Sequence, residues 1–370
     1  MSAQTATSAA QTRAGYQLEA RARDAAVAGM RGARRSTLRR DAVVVAALAV
    51  AALALVTLTL CIGTTVTPIG DVLRVLLGQN VPGASFTVDE LRLPRALGGL
   101  LVGLAFGAAG CLFQSVLRNT LASPDVIGIS SGAGLAAVVA IAVFGASGFV
   151  VSVAALAGAL LTAGAIFLLA AARSTTGYRF VLIGIAVGTA AQAVVGYVIS
   201  RADIADARQA MVWLTGSLSR SLWDQLPAVA IAIVVLLPFA LLSGRALEVL
   251  RLGDDTATAL GAKAGRDRAL LILLAVALVA VGTSMTGPVA FVAFLAAPIA
   301  SRMLRSSHLI LPASALMGAV IMLGGDFVGQ HLIPGVALPV GVVTGAIGAP
   351  YLLWLLARGG RRSASSGGLS

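Results

Sequence analysis

The side chains best equipped for chemistry stand where chemistry is hard to do. Arg92, Arg95, Gln114, Arg118 and Asn119 are spread through residues 92–134, RLPRALGGLLVGLAFGAAGCLFQSVLRNTLASPDVIGISSGAG, a stretch otherwise built mostly of apolar and small residues. An unpaired amide or charge in apolar surroundings is costly, so each must find a partner on a neighbouring element, reach a polar boundary or meet a passing solute. Patterns for bond-making chemistry do not appear. A phosphate loop needs backbone donors around the phosphates and a lysine followed by a hydroxyl residue, G-x-x-x-x-G-K-[ST]. GDDTATALGAKAG at 253–265 has the glycines without that ending. His308 and His331 flank one apolar run without the clustered carboxylates or thiols of an iron site. Cys61 and Cys111 lie inside apolar runs at no metal-ligand spacing and read as small buried residues. The chain is expected to be no enzyme, with no cofactor and no resident metal.

The elements that must position these residues are written in the composition. Of 370 residues 58% are apolar and 11% charged, and the mean hydropathy is +0.94. Soluble domains are roughly 25% charged. The apolar residues come in runs of about 20, near the length of a helix crossing a hydrocarbon core of about 30 Å. Ala, Leu, Val and Gly dominate without the alternation of barrel strands. The expected fold is an all-α polytopic membrane protein of about ten transmembrane helices. The spans are placed at 41–62, 97–117, 122–144, 149–171, 180–200, 225–243, 269–286, 289–302, 308–325 and 338–357. The run 289–302 is short and carries Pro298, which marks a broken or tilted element.

The net charge of +12 does not point to nucleic acid, because the arginines cluster between and beyond the apolar runs. Residues 1–40 hold eight arginines and read as a disordered basic tail. The apolar run that follows is too long for a signal peptide and reads as an uncleaved span. With both termini in the cytoplasm, only Arg74, Arg92, Arg95, Arg201, Arg208 and Arg220 fall outside, the asymmetry a multi-pass membrane protein shows. Domain organisation follows: a tail at 1–40, a membrane domain at 41–357 with a charged cytoplasmic segment at 244–268, and a second cytoplasmic tail at 358–370. Gly98, Gly99, Gly103, Gly107 and Gly110 are expected to let helices approach closely.

RLPR at 92–95, Gln114 and RNTLASPDVIGISSGAG at 118–134 resemble the signature of bacterial permeases that import iron–siderophores, heme and vitamin B12. Thr120 stands where that family usually has proline. The resemblance continues in order through WLTGSL (213–218), LGDDTATALGAKAGRDR (252–268), GPVAFVAFLAAPIASR (287–302), LPASALMGA (311–319), GGDFVGQ (324–330) and LPVGVVTGAIGAPYLLWLL (338–356). The last motifs look most like ferric-siderophore permeases. The resemblance implies a permease subunit of a binding-protein-dependent ABC importer. Its partners would be a second permease subunit, identical or related, two cytoplasmic ABC ATPases, and an extracytoplasmic siderophore-binding lipoprotein. The cargo would be a ferric siderophore, with heme or vitamin B12 as alternatives. An ion-coupled secondary transporter is the reading from another class.

Residue roles follow from the same resemblance. Leu252, Gly253, Ala257, Leu260 and Gly261 match the coupling helices that dock on the ATPase, with Leu260 filling a cleft and Gly261 allowing a tight turn. Arg92 and Arg95 match arginines that pair with glutamates of the docked binding protein; lipid-facing snorkelling and holding their own loop are the alternatives. Gln330 stands where a third docking arginine is usual, and Ala337 where a glutamate is usual. Gln114, Asn119, Gly128 and Gly132 are placed at the translocation path or inner gate, with helix packing as the other reading for each. Asp326 is expected to make a structural hydrogen bond rather than relay protons.

Overall fold

The computed structural model describes residues 34–63, 65–125, 127–171, 177–221 and 223–366. Helix α1 (Arg34–Cys61) is followed by a short outer helix α2 (Ile69–Leu76). A π-helical turn, Phe86–Arg92, runs into α3 (Leu93–Val116), whose Pro94 sits in the first turn, where a missing N–H costs nothing. Then come α4 (Ile129–Ala142), α5 (Phe149–Ala171), α6 (Gly177–Arg201), α7 (Ile204–Leu214), α8 (Leu226–Leu242), α9 (Gly244–Arg251), α10 (Asp254–Ala259), α11 (Ala264–Thr286), α12 (Val292–Met303), α13 (Ile310–His331) and α14 (Val340–Ser366). The chain is an all-α polytopic membrane protein.

Among the described residues six helices are long and apolar enough to cross a bilayer: α1, the Phe86–Val116 rod, α5, α6, α11 and α13. The pair α8 and α9, bent by 45°, makes a seventh if counted as one span. The expected ten are not confirmed. Two apolar runs, 122–144 and 289–302, hold only the shorter apolar helices Ile129–Ala142 and Val292–Met303, and 338–357 holds the first part of the long helix α14. The backbone explains both short helices: α4 begins after Gly128 (φ 85°) and α12 after Gly287 (φ 74°) and Phe291 (φ 68°). Left-handed residues end a helical path, and hydropathy does not register them. Of the expected basic tail, residues 1–33 lie outside the described residues and 34–40 open α1; of the 358–370 tail, 358–366 continue α14.

The rod containing α3 is the central post. Its most apolar window is 78% buried, as is that of α11, against 22% for α1 and α6. Small residues make this possible. A Cβ on Gly103 would stand 2.6 Å from the Ala319 Cα of α13; on Gly107 or Gly110 it would overlap the carbonyl oxygen of Ser314 or Ala293. Gly318 answers from α13, where a Cβ would sit 2.7 Å from the Gly107 Cα. Backbones in direct contact gain dispersion and orientation that bulky side chains would forbid. The expected close approach holds most strictly at Gly103, Gly107 and Gly110. At Gly98 and Gly99 a Cβ would meet only side-chain ends of Met285, Ser221, Leu323 and Leu218.

Three irregular segments meet beside this core. The Ser217 N–H donates to the Thr286 carbonyl (2.8 Å), the Gly341 N–H to the Gly216 carbonyl (3.1 Å), and the Thr344 hydroxyl to the Ala290 carbonyl (2.8 Å). Broken backbone at membrane depth is tolerated where protein satisfies it, and these bonds do so. Asp41, in the second turn of α1, accepts from the Arg305 and Ser306 N–H groups (2.9 and 3.0 Å) and ties α1 to the α12–α13 turn.

Candidate functional site: two arginine clamps and the post between them

At one end of the post, where α3 begins, Arg92 and Arg95 both point back into their own chain. Arg92 is 7% exposed. Its guanidinium donates to the Leu60 carbonyl (2.9 Å), the Thr65 carbonyl (2.6 Å) and the Thr65 and Thr67 hydroxyls (3.2 and 3.3 Å), so it closes the turn between α1 and α2. The five donors of a planar guanidinium suit such a cluster of neutral acceptors. Of the roles open to this arginine in the sequence, the loop-holding one is the geometry observed. Arg95 makes a bidentate pair with Asp326 of α13, Nε to Oδ2 at 2.9 Å and Nη2 to Oδ1 at 2.8 Å. The Asp326 side chain is 2% exposed and that of Arg95 16%. Gln330, one turn along α13, donates to Asp326 Oδ2 at 2.8 Å. Arg95 and Gln330, read separately as docking residues, thus share one carboxylate. His331 stacks on Phe327 at 4.3 Å.

At the opposite end lies the segment 244–268. Gly253 (φ 111°) and Gly261 (φ 83°) bracket α10 in backbone that L-residues rarely adopt. Ala257 is fully buried while Leu252 and Leu260 are more than 60% exposed, so α10 packs on one side and offers leucines at both ends. What holds it was not evident from the sequence. Arg118, left-handed at φ 50°, stops α3 and aims its guanidinium at the segment. Its Nη2 donates to the Leu250 carbonyl at the end of α9 (2.8 Å) and to Asp254 Oδ1 at the start of α10 (2.7 Å). Arg268 on α11 donates to the same oxygen at 2.6 Å. The Arg268 hydrogen bond, with the charges of Arg268 and Arg118, holds the Asp254 carboxyl below its ordinary value against a smaller opposing effect of burial. His308 reaches Glu248 of α9 at 2.7 Å. The only hint of this clamp in the sequence is Arg118 itself, a charge at the end of a greasy run.

Of the residues expected at the path, Gln114, Gly128 and Gly132 sit in helix contacts and Asn119 in an exposed turn. Gln114 donates to the Phe294 carbonyl of α12 at 3.0 Å. Asn119 is exposed and its Oδ1 accepts from the Leu121 N–H (2.9 Å), an Asx turn that rounds the corner after α3. A Cβ on Gly128 would stand 2.6 Å from the Gly184 carbonyl of α6, and one on Gly132 would overlap Thr162 of α5. Among the described residues no group of three or more His, Cys, Asp and Glu side chains is arranged to hold a metal ion.

A family model, the FecCD transport family, matches residues 43–358. The chain belongs to that family. This FecCD chain is 36% identical over 300 residues to the ferric enterobactin transport system permease protein FepG of Escherichia coli (strain K12), covering 81% of this chain and 91% of the relative. It is 38% identical over 287 residues to the Fe(3+)-citrate import system permease protein YfmE of Bacillus subtilis (strain 168), covering 77% and 86%. A solved structure, described as an inward-facing conformation of a metal-chelate type ABC transporter, superposes with a TM-score of 0.75 at 25% identity over 85% of this FecCD chain and 98% of that one. The two clamps and the glycine-lined post therefore belong to a transport family and to a fold already seen in a transporter.

Proposed function

We infer that this chain is the transmembrane permease subunit of an ABC importer that carries ferric-siderophore complexes across the bacterial cytoplasmic membrane. The observation that carries the reading is the family match over residues 43–358, together with near full-length similarity to permeases named for ferric enterobactin and Fe(3+)-citrate. ATP hydrolysis in separate ATPase subunits would supply the energy. In this reading two permease subunits, identical or related, enclose the path, two ATPases dock on the cytoplasmic side, and a siderophore-binding lipoprotein delivers cargo from outside.

The proposed ATPase contact is the unit Leu252, Gly253, Ala257, Leu260 and Gly261. Its support is the pair of exposed leucines bracketing a buried alanine and the Arg118–Asp254–Arg268 clamp beneath them. Leu260 enters an apolar cleft while the surrounding charges form a wet rim. Both termini and this unit are proposed to be cytoplasmic. The binding protein docks at the other end, on a surface whose shape Arg92, Arg95 and Gln330 set. Since Arg92 and Arg95 are already engaged, docking there draws less on arginine ion pairs than the motif alone implies. Gln114, Asn119, Gly128 and Gly132 act on the path by fixing the α3–α4 corner and the helices around it. The test is uptake of radiolabelled ferric siderophores of catecholate, hydroxamate and citrate type, and of vitamin B12, in a strain lacking the gene. Loss of siderophore uptake with vitamin B12 uptake intact is expected; the reverse would overturn the cargo assignment.

A further inference from the structure

We propose that the groove between α5, α6 and α11 is a binding site for one anionic phospholipid, its acyl chain in the groove and its headgroup phosphate on Arg266. The groove holds about 450 Å³ and is walled by Leu160, Phe167, Phe180 and Leu273, with Gly164 in its floor and Arg266 at its mouth. That volume is in the range of small-molecule sites.

Gly164 shows that the space is built in. Six residues earlier and on another face of α5, Gly158 is closed over by α4, where a Cβ would overlap the Ala136 side chain. At Gly164 a Cβ would meet nothing within 4 Å. The small residue there opens a gap instead of closing one. Exposed Leu270 and Leu273 continue the apolar wall outward. An acyl chain fills such a gap with the dispersion contacts its lining otherwise lacks.

The mouth sets the headgroup. Arg266 lies in the first turn of α11, is exposed, and makes no hydrogen bond or ion pair with the described residues. Arg268, two residues on, is taken by Asp254. Lys263 precedes α11 and Asp267 follows Arg266; adjacent helical residues point apart, so Asp267 does not face the same way. The partial positive charge of the α11 N-terminus adds to that of Arg266. Basic clefts between transmembrane helices at the membrane face are where anionic headgroups bind. A second copy of the chain fits less well, because an isologous contact centred here would bring the two Arg266 guanidinium groups together.

The proposal requires only that the chain span a bilayer, so failure of the cargo assignment would leave it standing. The full chain is purified in mild detergent and mixed with equal amounts of phosphatidylglycerol and phosphatidylcholine of matched chains, and bound lipid is counted by native mass spectrometry. Wild type should retain phosphatidylglycerol about fivefold over phosphatidylcholine, the ratio one surface arginine supplies. Arg266→Gln, a surface change that leaves the fold alone, should bring the ratio to about one. Gly164→Phe, which fills the groove without changing charge, should lower retention of both lipids. Equal retention of the two lipids by wild type, or an unchanged ratio in Arg266→Gln, would overturn the site. Disulfide cross-linking of two copies through Leu273→Cys would assign the groove to a partner chain and overturn it equally.

Discussion

Replacing Arg95 with methionine leaves the Asp326 carboxylate nearly buried, with Gln330 as its remaining donor. Removing one partner of a buried pair costs about 3–5 kcal/mol, because the surviving charge has no compensation. Two features push this case to the low end. Gln330 still donates one hydrogen bond, and a helix unfolded within the bilayer also finds partners for its polar groups. The expected loss is about 3 kcal/mol, read as a shift in an SDS-unfolding titration. Arg95→Met with Asp326→Leu removes both charges and should recover most of that loss, as apolar replacements of buried pairs do. This double variant also separates structure from docking. Reversing Arg95 to glutamate would set two carboxylates against each other, so lost docking in that variant would say little about a partner. With stability recovered in the double variant, undiminished affinity for the binding protein makes Arg95 purely internal, while weakened affinity gives it a docking role. A single Arg95→Met variant within about 0.5 kcal/mol of wild type, the scatter of ordinary surface changes, would refute the clamp.

Gly107→Leu drives a side chain into the Ser314 carbonyl and should cost at least about 1–3 kcal/mol of overpacking, seen as loss of the monodisperse peak in size-exclusion chromatography; Gly196→Ala, at a position with open space, should leave the peak unchanged. Leu260→Glu with Gly261→Val, the second at φ 83° where a non-glycine residue costs roughly 1–2 kcal/mol, should abolish transport-coupled ATP hydrolysis in the reconstituted complex while membrane insertion stays normal. Asp254 has a lowered pKa in the folded chain, so its contribution is complete above its ordinary value of 3.8 and fades as pH falls through the lowered one. Protection of the 244–268 segment from limited proteolysis should therefore be flat across neutral pH and decline only in strong acid, whereas Asp254→Asn should weaken it across neutral pH, modestly because the pair is half-exposed, and converge with wild type in strong acid.

Helices bounded by charged or polar residues were legible in the sequence. The run 149–171 coincides with α5, and 269–286 ends with α11 at Thr286. The runs 122–144 and 289–302 hold shorter helices than their apolar lengths suggest, because hydropathy sums side chains and does not see backbone angle. Phe291 is the sharpest example, since nothing about a phenylalanine in an apolar run announces φ 68°. In the site, the residues that mattered stood out by type, and their partners did not. Arg95 and Asp326 were each conspicuous as charges near the outer ends of apolar runs, yet a separation of 231 residues hid the pairing. For Arg92 the motif records which residue is present and not which carbonyls surround it. The role of Arg118 depends on a left-handed turn that sends its side chain to α9 and α10, a geometry no spacing rule predicts.

The same 231-residue separation has a meaning for biogenesis. Chains emerge from the ribosome at about 5–20 residues per second, so the central post waits about 10–50 s before Asp326 exists. During that interval α3 lies in the membrane with a bare glycine face and an arginine that lacks its counter-ion. A nascent chain that stalls before α13 thus leaves the Arg95 charge without Asp326 and the Gly103–Gly107 face of α3 uncovered. Completion of α13 resolves both in one step.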